Sequence, residues 1–215
     1  MNTLNGVPQQ IASYLLEIEA VALRPHQPFT WTSGIQSPIY CDNRLTMSHP
    51  QVRDFIAESF AAIIREQFPD TDVIAGTATA GIPHAAWVAQ KLNLPMAYIR
   101  DKAKGHGKEN LIEGQIKPGQ KAIVIEDLIS TGGSSIKAAK AVEEAGAQVQ
   151  SVLAIFSYQL DKAEKAFEEA GVPLQSLSNY TALTEVALEK GVIQKEDLEL
   201  LQSFRANPAA YGQKQ

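Results

Sequence analysis

Apolar residues recur at two periods along this chain, and the alternation between them predicts its architecture. Ile11, Leu15 and Ile18 lie at helical spacing within residues 8–20. Arg24-Pro25 ends that pattern, because the residue before a proline is pushed out of the α region. Residues 29–42, FTWTSGIQSPIYCD, are β-formers broken by Ser33-Gly34 and Ser37-Pro38, which predicts short strands and a turn. Val52, Phe55, Ile56, Phe60, Ile63 and Ile64 then form one helical stripe, with Ser48 and Gln51 in capping-box spacing before it. From there short apolar runs at 73–75, 96–99, 122–125 and 149–158 alternate with helical stretches. One helix takes Pro83 in its first turn, one stops at Gly146, and one is capped by Asp161 and Glu164 and ends at Gly171. A hairpin is expected to turn at Lys117-Pro118-Gly119, residues 126–134 read as a loop, and two short helices are expected near 181–190 and 195–204. Short strands alternating with helices predict an α/β fold with a mostly parallel sheet flanked by helices, and ligands beyond the carboxyl ends of its strands. The loops after Ala75, Ile99 and Ile125 are therefore the places to look for chemistry.

Composition narrows the class. A 215-residue chain with 45% hydrophobic residues can bury one domain-sized core. A net charge of -5 lacks the basic footprint of a nucleic-acid domain. A lone Cys41 excludes an intrachain disulfide and a cysteine-rich zinc framework. Residues 1–10 have no basic segment followed by an apolar one, and no run of about 18 apolar residues exists, so a cytoplasmic location is expected.

The richest segment is IVIEDLISTGGSS, residues 123–135. An apolar strand runs into Glu126 and Asp127, then Ser130, Thr131, Gly132, Gly133 and Ser134, then a helix. Glycines admit close backbone approach, and the unpaired N–H groups of a helix start suit a phosphate. Two carboxylates would repel a bare phosphate, but at a strand end they can accept hydrogen bonds from a diol. The pattern therefore points to a phosphosugar, with the diol on the acids and the phosphate on the helix. A P-loop would need Lys after its second glycine, where Ser134 stands, and the Rossmann glycine spacing is absent. A solvated acidic pair beside a Gly-rich turn is the plainer alternative.

VIEDLISTGGS resembles the 5-phosphoribosyl 1-diphosphate (PRPP) motif of the type I phosphoribosyltransferases. FTWTSGIQSPIYCDNR, GTATAGIPHA and IRDKAKGHGKENLIEG resemble, within that family, the orotate phosphoribosyltransferases, and the likeness spans about residues 10–205. It implies a single type I phosphoribosyltransferase domain over 1–215. A small N-terminal hood would come from about 1–48 and the C-terminal segment, with a flexible loop at KAKGHGK. It implies transfer of phosphoribosyl from PRPP to orotate, with Mg²⁺ held mainly through PRPP and no direct metal ligand, in a homodimer with shared active sites. PRPP binding would fall to Arg100, Lys104, His106, Glu126, Asp127, Leu128, Ile129, Ser130, Thr131, Gly132, Gly133 and Ser134, and catalysis to Lys104, His106 and Asp127. Ser130 would also contact orotate. Cations on a hinged loop would help an acidic chain recruit a polyanion. A non-catalytic PRPP-sensing regulator and a purine phosphoribosyltransferase are the alternative readings.

The chain also departs from the better-known bacterial pattern. Thr32, Ala80 and Asp101 stand where many relatives have Lys, and no Arg occurs in residues 156–159. Arg44 is the candidate to pair with the orotate carboxylate instead. Among the other notable residues, His84 reads as a helix-start residue, Cys41 as a packed or pocket-lining thiol, and Trp31 and Trp87 as packing residues.

Overall fold

The computed structural model describes residues 5–31, 34–102 and 111–211. The chain opens with α1 (Val7–Glu17), β1 (Val21–Leu23), β2 (Phe29–Thr30), β3 (Gln36–Ser37), β4 (Ile39–Cys41) and a 3-10 helix, Asn43–Ser48. After α2 (Pro50–Gln67) come β5 (Val73–Thr77), α3 (Gly81–Leu92), β6 (Met96–Ile99), β7 (Ile112–Glu113) and β8 (Lys121–Ile129). The remainder is α4 (Gly133–Glu144), β9 (Gln148–Ser157), α5 (Asp161–Ala170), β10 (Leu174–Asn179), α6 (Tyr180–Glu189), α7 (Asp197–Ala206) and a 3-10 turn at Pro208–Ala210.

Six strands form the central sheet in the order β10-β9-β8-β5-β6-β7, parallel throughout except for β7. The middle stretches of β5, β6, β8 and β9 are apolar because both faces of the sheet are covered. Ile74, Ile123, Ile125 and Leu153 join a core with α1, α2, α3 and α6, while Val73, Ala75, Val124 and Val152 join a second core with α4 and α5. Two small antiparallel pairs, β1 with β4 and β2 with β3, sit outside this sheet. They are tied to the C-terminal segment: His26 Nε2 meets Asp197 Oδ1 at 2.7 Å, Tyr211 Oη donates to the Pro25 carbonyl at 2.7 Å, and Trp31 packs edge-on against Phe204. No helix among the described residues is long and apolar enough to cross a membrane.

The strand order fixes where a ligand can sit. From β5 the chain builds outward to β6, and from β8 it builds the other way to β9 and β10. The switch point lies between β5 and β8, and a crevice opens there beyond their carboxyl ends. Pairing of β8 with β5 ends at Gly76↔Ile125, whereas pairing with β9 continues to Ile129↔Ser157. The stretch from Glu126 to Ile129 is therefore strand, held on one edge only, and not the loop that its polar acids predict.

Other local expectations yield to tertiary pairing. Ser48 ends the 3-10 helix, and α2 starts from His49 without a side-chain cap, with Pro50 supplying a preset φ. Asp161 and Glu164 lie within the first turn of α5, where they meet the positive end of its dipole, and the cap position is Leu160. No hairpin turns at Lys117-Pro118-Gly119, because β7 pairs with β6 and β8 inserts between β5 and β9. β1 follows α1 too closely to be separated by pattern, and β10 carries Gln175, Ser176, Ser178 and Asn179, which hide an edge strand.

Candidate active site

The acidic pair sits at the switch point. Glu126 is 6% exposed, and its carboxylate accepts from its neighbour's backbone N–H, that of Asp127, at 2.9 Å and from Ser135 Oγ on α4 at 2.9 Å. The Asp127 carbonyl accepts from Asn43 Nδ2 at 2.7 Å, so the 3-10 helix anchors the strand end from the other side. Asn43 is itself 1% exposed and also accepts from Cys41 Sγ at 3.3 Å. Burial raises the pKa of Glu126, reinforced by the Asp127 charge, and burial raises that of Asp127 too. No cationic side chain hydrogen-bonds the pair among the described residues, and the Arg44 charge, which favours ionised Asp127, is outweighed by burial. Such a pair gains from any ligand that brings hydroxyl donors or a cation.

That strain on charge has a measurable consequence. A carboxyl whose folded pKa exceeds its unfolded value binds more protons in the folded state, so stability falls as pH rises above the ordinary carboxylate range. Glu126→Gln is expected to raise the melting temperature of the ligand-free protein at about pH 8 and to leave it nearly unchanged at about pH 4, as followed by calorimetry. Equal shifts at both pH values would mean that Glu126 is not the group responsible.

Beyond the pair, Ser130, Thr131 and Gly132 turn the chain into α4. Gly132 is the residue before the helix at φ 81°, and an added Cβ there would lie 2.7 Å from Phe167 Cε2. The N–H groups of Gly133 and Ser134 make no backbone hydrogen bond among the described residues, and α4 directs its positive end at them. Across the crevice, α3 approaches closely. A Cβ on Gly81 would lie 2.5 Å from the Ile125 carbonyl oxygen, which also accepts from Thr77 Oγ1 at 3.0 Å.

Two cavities flank this segment. One, of about 350 Å³, is lined by Thr77, Arg100, Gly133, Ser134 and Lys137 among others. Arg100 follows β6, and its Nη1 lies 3.5 Å from Glu113 Oε1. Lys137, not singled out from the sequence, comes one helical turn after Gly133 and Ser134 and so shares their face. The other cavity, of about 560 Å³, has Leu128, Ser130 and Thr131 on one side and Trp31, Tyr40, Cys41 and Tyr158 on the other, with Lys162 at its edge. Trp31 and Tyr158 lie nearly parallel, 5.3 Å between centroids at 24°.

The sequence-predicted residues divide accordingly. Arg100, Gly133 and Ser134 line the first cavity and Leu128, Ser130 and Thr131 the aromatic one, while Glu126 and Asp127 on the strand end and Gly132 in the turn line neither. Ile129 is fully buried in the core, and its carbonyl accepts from the Tyr158 N–H, so its side chain packs and does not face a ligand. Lys104 and His106 lie outside the described residues, as does Thr32. Arg44 holds Asp42 through Nε at 2.6 Å and Nη2 at 2.7 Å, so the two-pronged pairing foreseen for a ligand carboxylate is made within the chain. Cys41 lines the aromatic cavity, and burial pushes its thiol pKa well up, as suits a wall residue and not a nucleophile. His84 is 1% exposed at the start of α3, its Nε2 lies 3.2 Å from Thr46 Oγ1, and burial lowers its pKa to about 4. Asn43, Ser135 and Lys137 were missed. Only the helical spacing of Lys137 left a signal, because the other two contacts join separate elements.

Comparison with known proteins agrees with this geometry. The family model described as phosphoribosyl transferase domain matches residues 48–189. An orotate phosphoribosyltransferase of Listeria innocua is 58% identical over 207 residues, covering 96% of this chain and 99% of the relative. One from Enterococcus faecalis is 58% identical over 209 residues, 97% of this chain and 100% of the relative. The crystal structure of orotate phosphoribosyltransferase from Aeropyrum pernix superposes with a TM-score of 0.73 at 26% identity, covering 86% of this chain and 99% of that one. The sheet order, the crevice and these relatives together show that the chain belongs to the orotate phosphoribosyltransferases of the phosphoribosyltransferase family.

Proposed function

We infer that this chain transfers the 5-phosphoribosyl group of PRPP to orotate, releasing diphosphate and forming orotidine 5′-monophosphate for UMP synthesis. One observation carries the reading. Buried Glu126 and half-buried Asp127 lead into a run that borders two cavities: Gly133 and Ser134 line the one with Arg100 and Lys137, and Leu128, Ser130 and Thr131 line the one walled by Trp31 and Tyr158. A phosphosugar laid along the Glu126–Ser134 segment reaches both: its phosphate groups toward the cavity with Arg100 and Lys137, its anomeric carbon toward a flat base in the aromatic one.

In this reading Glu126 and Asp127 accept hydrogen bonds from the ribose hydroxyls, which relieves the burial that raises their pKa values. Thr131, Gly132, Gly133 and Ser134 hold the 5′-phosphate through backbone N–H groups and hydroxyls at the start of α4. Ser130 and Leu128 border the base. Arg100 grips the diphosphate, joined by Lys104 and His106 from outside the described residues, and Lys137 adds a further cation. As the bond to diphosphate breaks, the sugar ring gains positive charge and Asp127 stabilises it, while the cations stabilise the departing charge. We also propose a homodimer in which the segment bearing Lys104 and His106 completes a neighbouring subunit's site.

Magnesium fits as a companion of the diphosphate. The described residues contain no cluster of three or more histidine, thiol or carboxylate groups, yet two adjacent carboxyls beside hydroxyls suit a hard cation that keeps other oxygen ligands. It would be held mainly by oxygens of PRPP, with Glu126 and Asp127 nearby through the ribose hydroxyls, and when bound it would neutralise charge on the diphosphate.

A single assay tests the function: protein, Mg²⁺ and PRPP are mixed with orotate, adenine or hypoxanthine, and the ultraviolet absorbance of the base is followed. Turnover of orotate alone is expected. Turnover of a purine would assign another specificity, and PRPP binding without turnover of any base would mark a sensor instead of an enzyme.

A further inference from the structure

We propose that Lys162 reads the carboxylate of the base and so sets the enzyme's preference for a carboxylated pyrimidine; the inference rests on the function proposed above. Of the described residues that line the aromatic cavity, Lys162 is the one with a charged side chain. The others offer what a flat heterocycle needs: near-parallel Trp31 and Tyr158, apolar Ile35 and Leu128, and the hydroxyls of Ser130 and Thr131. None of these can answer a full negative charge. A carboxylate moved from water into such a cavity without a cation would lose hydration and gain little in return.

The other described cations near the acidic pair do not line this cavity. Arg44 is occupied by Asp42 and does not line this cavity. Arg100 and Lys137 belong to the other cavity. Lys162 is exposed and makes no hydrogen bond or ion pair among the described residues. Its neighbour Asp161 is exposed beside it, and solvent screens the attraction between them. The position is also unusual on local grounds. Lys162 stands in the first turn of α5, where the helix dipole disfavours a cation. A residue set against its local preference beside a cavity is a candidate for function. Its flexible stem lets the ammonium swing over the cavity mouth once a carboxylate arrives.

The test uses the full-length enzyme with Mg²⁺ and separately varied orotate and PRPP. Lys162→Met is expected to raise the KM for orotate about tenfold or more, the size of one charge-assisted hydrogen bond, and to leave the KM for PRPP within about twofold. Lys162→Arg should restore most of the loss, and the salt dependence of kcat/KM for orotate should flatten in Lys162→Met. An unchanged orotate KM in Lys162→Met, or an equal rise for PRPP, overturns the assignment. Because Lys162 is exposed, neither variant threatens the fold, and a thermal melt checks that directly. Absence of orotate turnover in the unmodified protein would remove the proposed function itself and this inference with it, whereas turnover with an unaltered KM in the variant removes Lys162 alone.

Discussion

Asp127→Asn is expected to lower kcat by about 10²–10³ while the protein stays folded. Asparagine keeps the shape of the side chain and leaves untouched the backbone carbonyl that Asn43 holds at 2.7 Å. It removes one negative charge from beside Glu126, and burial already disfavours that charge in the empty site, so stability should hold or rise. What it takes away, under the proposed function, is the charge that would face the sugar as the ring becomes cationic. Such an interaction strengthens only in the transition state, and its loss falls on kcat more than on the KM for PRPP. Steady-state kinetics beside a thermal melt separates the cases. A kcat within about threefold of the parent enzyme would remove Asp127 from catalysis. The same variant probes the proposed dimer: mixed with Lys104→Ala, it should regain activity if the Lys104 segment of one subunit completes the other's site. No recovery after verified subunit exchange would mean that each chain completes its own.

Gly132→Ala carries the largest expected cost to the fold, about 2–4 kcal/mol from two additive sources. At φ 81° a side chain meets the left-handed penalty of about 1 kcal/mol or more, and forcing a methyl into a packed core costs about 1–3 kcal/mol further. The added Cβ would lie 2.7 Å from Phe167 Cε2 and 3.1 Å from its Cδ2. Phe167 is 4% exposed in the core between the sheet, α4 and α5, so the ring has little room to retreat. Relief must come from the turn itself, which would swing the N–H groups of Gly133 and Ser134 away from the proposed phosphate position. Urea unfolding should show the lower stability, and calorimetric titration should show weaker PRPP binding. Gly133→Ala is the internal control, because a Cβ there meets nothing within 4 Å. Equal stability losses in the two variants would show that the contact with Phe167 is not the cause.

Much of this was legible in the chain itself. Strand and helix alternate by period, so the parallel sheet and its two covered faces followed from residues such as Ile123–Ile125 and the Val52–Ile64 stripe. Glu126, Asp127 and the run to Ser134 form the site within nine consecutive residues, so their chemistry could be read as one phrase. The resemblance of the other three motifs added the base and the loop. Where reading failed, a partner far along the chain had intervened. β7 turned to β6 and not to β8, and the acids at 126 and 127 were drawn into strand by β9.

The order of residues alone thus brought the acidic pair and the hydroxyl–glycine run together, because neighbours in sequence share one strand end and one helix start. Only the folded chain decided how those groups are held and what surrounds them. Asn43 reaches Asp127 across 84 positions, and Lys162 comes to the cavity of Ser130 from a separate helix. Arg44, equally plausible on paper, is claimed by Asp42. The reason is physical. Periodicity and backbone propensity act over a few residues, whereas burial, cavity walls and charge pairing depend on which distant segments the sheet order brings together.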